Sequence, residues 1–216
     1  MPAENPSRPL FRRLAVLISG RGSNLQSIID AIQEGRLEAT IAIVMSNRSD
    51  AAGLARAREA DIDATWLNPR EYADRDAYDR AIVDLLRERQ VDLVCLAGFM
   101  RRISRPFLDA FPNRILNIHP SLLPAFPGLD AQAQALRHGV KVAGATAHLV
   151  TEDLDGGPIV AQSAVAVLDD DTVDTLSARI LIEEHKLYPE AIRLVLEGGW
   201  SIDGRRFRPA ARRERA

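Results

Sequence analysis

LAVLISGRGSNLQSIIDAIQEG, residues 14–35, is the stretch that decides the fold. Its opening, LAVLIS, is a short run without a polar face, as expected of a strand buried on both sides. Its second half spaces Leu25, Ile28, Ile29 and Ile32 for one face of a helix, which Gly35 stops. A strand, a glycine turn and an amphipathic helix in that order make the first half of a βαβ unit.

The same alternation continues outward. IAIVMS (41–46) is a second strand, and Asp50 is expected to cap the helix AAGLARAREA behind it. DATWL (63–67) is a weaker third strand. DRDAYDRAIVDLLRERQ (74–90) has the clearest helical periodicity, and VDLVCLAGF (91–99) is apolar on both faces, as a central parallel strand should be. After a helical turn at 105–110, RILNI (114–118) is the next strand, and HPSLLPAFPG (119–128), with three prolines and a glycine, is an ordered loop. GATAHLV (144–150) and IVAQSAVAV (159–167) flank TEDLDGGP. A long helix follows over 172–197, and Asp203-Gly204 signals a hairpin.

The reading is an α/β fold: a single domain over 14–204 with a mostly parallel, twisted sheet flanked by helices and a Rossmann-type N-terminal half. It lies between a tail at 1–13 and an Arg-rich tail at 205–216. A chain of 216 residues suits one such domain. No apolar run approaches the roughly 18 residues of a membrane span, and MPAENPSRPLFRR lacks the apolar segment of a secretory signal. A cytoplasmic location is therefore expected. The sole cysteine, Cys95, sits in an apolar run and is read as inert core. With a net charge of −2 there is no basic field of the kind nucleic-acid binders carry. Small-molecule substrates are the expected partners, without nucleic acid or membrane, and a homodimer is left open.

Three segments carry chemistry. In SGRGSNLQ (19–26), a glycine turn ahead of a helix exposes backbone N–H groups to an anion, with Ser23 or Asn24 able to cap the helix or meet phosphate oxygens. It lacks the Lys-Ser/Thr ending of an NTPase loop, and Leu25 stands where a dinucleotide fingerprint has its third glycine. Taken alone it is equally a tight turn.

In ILNIH, strand alternation points Asn117 and His119 the same way while Ile118 faces the core. An amide N–H and a protonated imidazole aimed at one oxygen would stabilise a tetrahedral anion, and the imidazole could also move a proton. The alternative is that both merely support the loop. In VTEDLDGGPIV, Asp155 lies on a turn whose glycines allow close backbone approach, and a carboxylate beside His119 would favour its imidazolium form. Of the other histidines, His138 is read as a helix-end charge, His148 as a core or site-lining residue, and His185 as either. None forms a metal-ligand pair, so no metal is expected.

On LISGRGSNLQSIIDA, LAGFMRRIS, ILNIHPSLLPAFPG and VTEDLDGGPI, in that order, the chain closely resembles the folate-dependent glycinamide ribonucleotide formyltransferases of purine synthesis. The resemblance runs from Leu14 to about Trp200. It implies a mixed seven-stranded sheet and transfer of formyl from 10-formyltetrahydrofolate, a cosubstrate, to the glycinamide amine. Position by position it implies Asn117, His119 and Asp155 as the catalytic trio. Gly22, Ser23 and Asn24 then bind the substrate phosphate, and Glu184 contacts the glycinamide end. The folate site corresponds to Arg75, to Met100, Arg101, Arg102 and Ile103, to Asn117, and to Thr151, Glu152, Asp153, Leu154 and Asp155.

Some family members carry Lys where Ala125 stands, His where Gln132 stands and a polar residue where Leu181 stands. Two related formyl enzymes are rivals. A methionyl-tRNA formyltransferase is expected to need a further C-terminal domain, and a formyltetrahydrofolate deformylase a regulatory domain ahead of this one. A non-catalytic nucleotide-binding module would use the 19–26 loop without the trio.

Overall fold

The computed structural model describes residues 12–209. Among the described residues nine strands form one sheet: β1 (Arg13–Ile18), β2 (Thr40–Ser46), β3 (Ala64–Trp66), β4 (Leu93–Leu96), β5 (Ile115–His119), β6 (Val142–Leu149), β7 (Ile159–Ala166), β8 (Ser201–Asp203) and β9 (Arg206–Arg208). Their order is β3-β2-β1-β4-β5-β6-β7-β9-β8. The first five in that order are parallel; β6 runs antiparallel to both β5 and β7. The helices are α1 (Ser23–Gln33), α2 (Ala52–Glu59), α3 (Arg75–Glu88), α4 (Arg105–Ala110), α5 (Ala131–Arg137) and α6 (Val173–Glu197), with a 3-10 turn at Pro69–Glu71.

Alternation along the strands sorts the core into two layers. Leu14, Val16 and Ile18 of β1 join Leu93 and Cys95 of β4 beneath Leu25 and Ile28 of α1 and Ile180 and Tyr188 of α6. Ala15 and Leu17, with Val94 and Leu96, face Tyr78, Ile82 and Leu86 of α3 and Phe107 of α4. Because β1 and β4 are covered on both faces, every residue of their buried runs is apolar. Cys95 is fully buried, and burial pushes its thiol up, as an inert core residue requires. Tyr188 of α6 donates its hydroxyl to the carbonyls of Leu96 and Leu116, tying the helix to β4 and β5.

Chain order reverses between β1 and β4, and in open α/β sheets the crevice at the carboxyl ends there receives ligands. Among the described residues no helix is long and apolar enough to cross a membrane.

Several local expectations are corrected. Asp50 does not cap α2; its carboxylate takes a bidentate bond from Arg48, and Ala51 holds the cap position without a side-chain bond. The sheet has nine strands rather than seven because the C-terminal hairpin joins it through β7 and β9. Arg206, Phe207 and Arg208, assigned to the tail from sequence, are therefore part of the sheet, as is Arg13 at the other end. Gly204, first of the two turn residues, has φ +60°, the positive value a II′ hairpin turn demands there. Trp200 fastens this hairpin to α6 by donating its indole N–H to Val195 O and packing on Phe207. The remaining tail residues, 1–11 and 210–216, lie outside the described residues.

Candidate active site

β5 reaches His119, one residue beyond the expected strand end, so Asn117 and His119 sit in regular alternation on the face opposite Ile118. The antiparallel neighbour β6 sets His148 directly across from Asn117 and Thr146 across from His119. Cross-strand partners share a face, so two further polar side chains enter the same spot. Both are buried, His148 at 2% exposure and Thr146 at 0%.

Thr146 organises the proline-rich loop. Its hydroxyl donates to Ser121 O (2.6 Å) and accepts from Leu123 N–H and from Gln162 Nε2, while Ser121 donates to Ala125 O. The loop thereby returns Phe126 O to His119, whose Nε2 lies 2.9 Å from it. A carbonyl only accepts, so Nε2 carries the proton.

Asp155 arrives from the 151–158 turn. Its own φ is +50°, a left-handed conformation that aspartate tolerates better than most residues. A Cβ on Gly157 would come within 1.8 Å of Leu149 O, which shows why the turn carries glycine where it runs against β6. The carboxylate accepts from Gly128 N–H (2.8 Å), faces His119 Nδ1 at 3.5 Å, and faces His148 Nε2 at 3.6 Å. Burial pushes the Asp155 carboxyl up, but the Gly128 N–H and the nearby His119 oppose it, and the group is held below its usual range. Asn117 Nδ2 donates to His148 Nε2 at 3.1 Å. Thus the expected trio is brought together, with His148 wedged between two of its members. Sequence periodicity could not single out His148, because only the β5–β6 register makes it a neighbour.

At the crevice's other wall, Ser19 follows directly on β1; its hydroxyl accepts from Met100 N–H and donates to Asn47, linking the carboxyl ends of β1, β2 and β4. Gly22 is the N-cap of α1 with φ +73°, and a Cβ there would lie 2.7 Å from the Gly53 Cα. Ser23 and Asn24 therefore do not cap the helix as expected. No side chain caps it and no acid lies in its first turn, which leaves its N–H groups suited to an anion. Asn24 instead donates to Glu184 Oε2 (2.6 Å), and its Oδ1 is buried without a partner among the described residues. Burial pushes the Glu184 carboxyl up, against the bond from Asn24. The structure thus joins Asn24 and Glu184, 160 residues apart in the chain.

The residues assigned to a folate site are arranged less uniformly. Met100 is 67% exposed, whereas Ile103 packs into the α3 layer and the Arg101 guanidinium lies 4.8 Å over the Tyr78 ring. Arg101 and Arg75 both act on Asp79, whose carboxyl burial pushes up while Ser104 and these two cations oppose the rise. Thr151, Glu152, Asp153 and Leu154 are exposed, and Glu152 is paired with Arg105 of α4 at 2.6 Å. His138 stands at the end of α5, with Nδ1 against Gln134 O. His185 Nε2, on α6, is buried without a partner among the described residues.

The sequence family described as "Formyl transferase" matches residues 12–192. The chain is 44% identical over 192 residues to the Escherichia coli protein named phosphoribosylglycinamide formyltransferase, covering 89% of this chain and 88% of that one. It is 49% identical over 191 residues to the Bos taurus trifunctional purine biosynthetic protein adenosine-3, covering 88% of this chain but spanning only 19% of that longer protein. Among solved structures, glycinamide ribonucleotide transformylase 1 from Symbiobacterium toebii superposes with a TM-score of 0.92 at 56% identity, covering 98% and 100% of the two chains. A formyltetrahydrofolate deformylase from Pseudomonas syringae superposes at 0.85 with 26% identity, covering 93% of this chain and 66% of that one. The match over residues 12–192 and these identities establish that the chain belongs to the formyl transferase family.

Proposed function

We propose that this chain transfers the formyl group of 10-formyltetrahydrofolate to the primary amine of glycinamide ribonucleotide. The convergence of Asn117, His119 and Asp155 at the end of β5 carries the proposal. The amine attacks the formyl carbon, forming a C–N bond and a tetrahedral oxyanion. Asn117 Nδ2–H and the His119 imidazolium stabilise that oxygen. Collapse breaks the bond to N10 of the folate, and the proton lost by the attacking nitrogen passes, by way of Asp155 and water, to N10. Holding Asp155 below its usual carboxyl range keeps it ionised as a proton acceptor at neutral pH.

Substrate groups find complementary chemistry at the crevice walls. The uncapped start of α1, at Gly22, Ser23 and Asn24, takes the phosphate, and Glu184 beside Asn24 orients the glycinamide end. Arg75 and Arg101 suit the carboxylates of a folate tail, and the segments Met100 to Ile103 and Thr151 to Asp155 border its ring. Identity supports this substrate over simple hydrolysis of the donor: 56% with the transformylase against 26% with the deformylase.

The purified protein, given glycinamide ribonucleotide and 10-formyltetrahydrofolate, is expected to release tetrahydrofolate and formylated product in equal amounts. Tetrahydrofolate without formylated product would identify a deformylase, and binding of either substrate without reaction a non-catalytic module.

A further inference from the structure

His148 has hydrogen-bond partners that leave its ring one arrangement. Its Nδ1 lies 3.1 Å from Leu149 O, which can only accept, so Nδ1 carries a proton. In the neutral ring Nε2 is then an acceptor, and it receives Asn117 Nδ2–H at 3.1 Å. A second proton on Nε2 would turn it towards Asp155 Oδ1, 3.6 Å away, and would demand the opposite end of the Asn117 amide. The ring is 2% exposed and held by β6, so water does not substitute for it as the amide's partner.

We propose that His148 is a positioning residue whose neutral, Nδ1-protonated ring sets which end of the Asn117 amide is the donor in the site. With one Nδ2 hydrogen held by His148 Nε2, the other is directed away from the ring towards an external oxygen. Without that acceptor the amide is free to turn over and to present a carbonyl oxygen where a donor is needed. An oxyanion site gains by having its dipoles fixed before the charge develops. The inference rests on the oxyanion role of Asn117 set out above.

His148→Leu removes the acceptor, whereas in His148→Gln the side-chain oxygen can take the place of Nε2. His148→Leu is expected to lower kcat about tenfold, the scale of one hydrogen bond, with KM for both substrates within about twofold; His148→Gln is expected to recover most of the loss. In an Asn117→Ala background, His148→Leu should cost no more than about twofold further. Losses that multiply in the double variant, or a Gln variant as slow as the Leu variant, would overturn the inference. Nitrogen-15 NMR of the wild-type protein at the pH of assay provides a measurement independent of how the variants fold. A neutral His148 protonated at Nδ1 is expected; an Nε2-protonated ring or an imidazolium sinks the idea. Near-normal turnover of Asn117→Ala alone would instead remove the oxyanion reading, while the NMR result would still report on the amide's orientation.

Discussion

His119 is bounded by two acceptors, Phe126 O at 2.9 Å and Asp155 Oδ2 at 3.5 Å, and the doubly protonated ring is the form that satisfies both. The interaction is mutual, since His119 is one of the groups that hold Asp155 below its usual range. His119→Ala should therefore do two things. Turnover should fall by about 100-fold or more, as expected for loss of a group acting on the reacting atoms, and a carbon-13 NMR titration should find the Asp155 carboxyl moved upward. Unchanged titration would show that the two groups are not coupled. Asp155→Asn should cost turnover on a similar scale while leaving substrate binding nearly intact, because the amide keeps an acceptor for Gly128 N–H but not the charge. A loss confined to KM would place Asp155 in binding only.

At the scale of elements, α6 is the part on which most else leans: it carries Glu184, anchors β4 and β5 through Tyr188 and supports the C-terminal hairpin through Val195. Its start is built for stability. The Thr172 hydroxyl accepts from Thr175 N–H, the Thr175 hydroxyl accepts from the Thr172 N–H, and Asp171 takes a bidentate grip from Arg179. Thr172→Ala is expected to cost about 1 kcal/mol, the usual value of an N-cap, lowering Tm by roughly 2–4 °C for a domain of this size. Thermal unfolding checks this, and an unchanged Tm would mean that Asp171 and Arg179 hold the helix start unaided. By contrast α1 lacks any side-chain cap. This difference between the two helices fits a structural start for one and an anion-facing start for the other.

Over the whole molecule, ionisable groups divide by the sign of their shifts. Asp155, Asp169, Asp171 and Glu183 are held below their ordinary values: burial is outweighed by the Gly128 N–H and His119 at Asp155, Lys141 acts at Asp169, Arg179 at Asp171, and Lys186 at Glu183. Groups of this kind stabilise the fold above the carboxylate values of the unfolded chain, about 4, and lose that contribution as pH falls through their lowered values. Glu184 and Asp79, raised by burial, act in the opposite sense: they favour the fold at low pH and cease to do so as pH rises through their raised values. Denaturant unfolding measured against pH should therefore show stability declining below about pH 4, with a shallower decline in Asp171→Asn. An equally steep acid limb in that variant would assign the loss to other carboxylates.

Apolar periodicity was enough to place β1 to β7 and the helices other than α5, because parallel strands buried on both faces and amphipathic helices leave period-2 and period-3.6 patterns that need no partner to be read. It also put Asn117 and His119 on one face, since that depends on local alternation alone. What it missed was decided by packing between distant segments. Ser23 and Asn24 lost the cap to Gly22 because the turn packs against Gly53, whereas Asp50 is a local exception, taken by Arg48 in its own turn. The hairpin beyond Asp203 joined the sheet by pairing with β7. The meeting of Asn24 with Glu184 and of Asn117 with His148 depends on helix docking and strand register, which carry no local pattern. The sequence by itself determined the α/β architecture and the pair at the end of β5. Only the tertiary structure decided that Asp155 faces two histidines and that His148 holds the amide, because a cross-strand contact exists only once two separate segments have been brought into register.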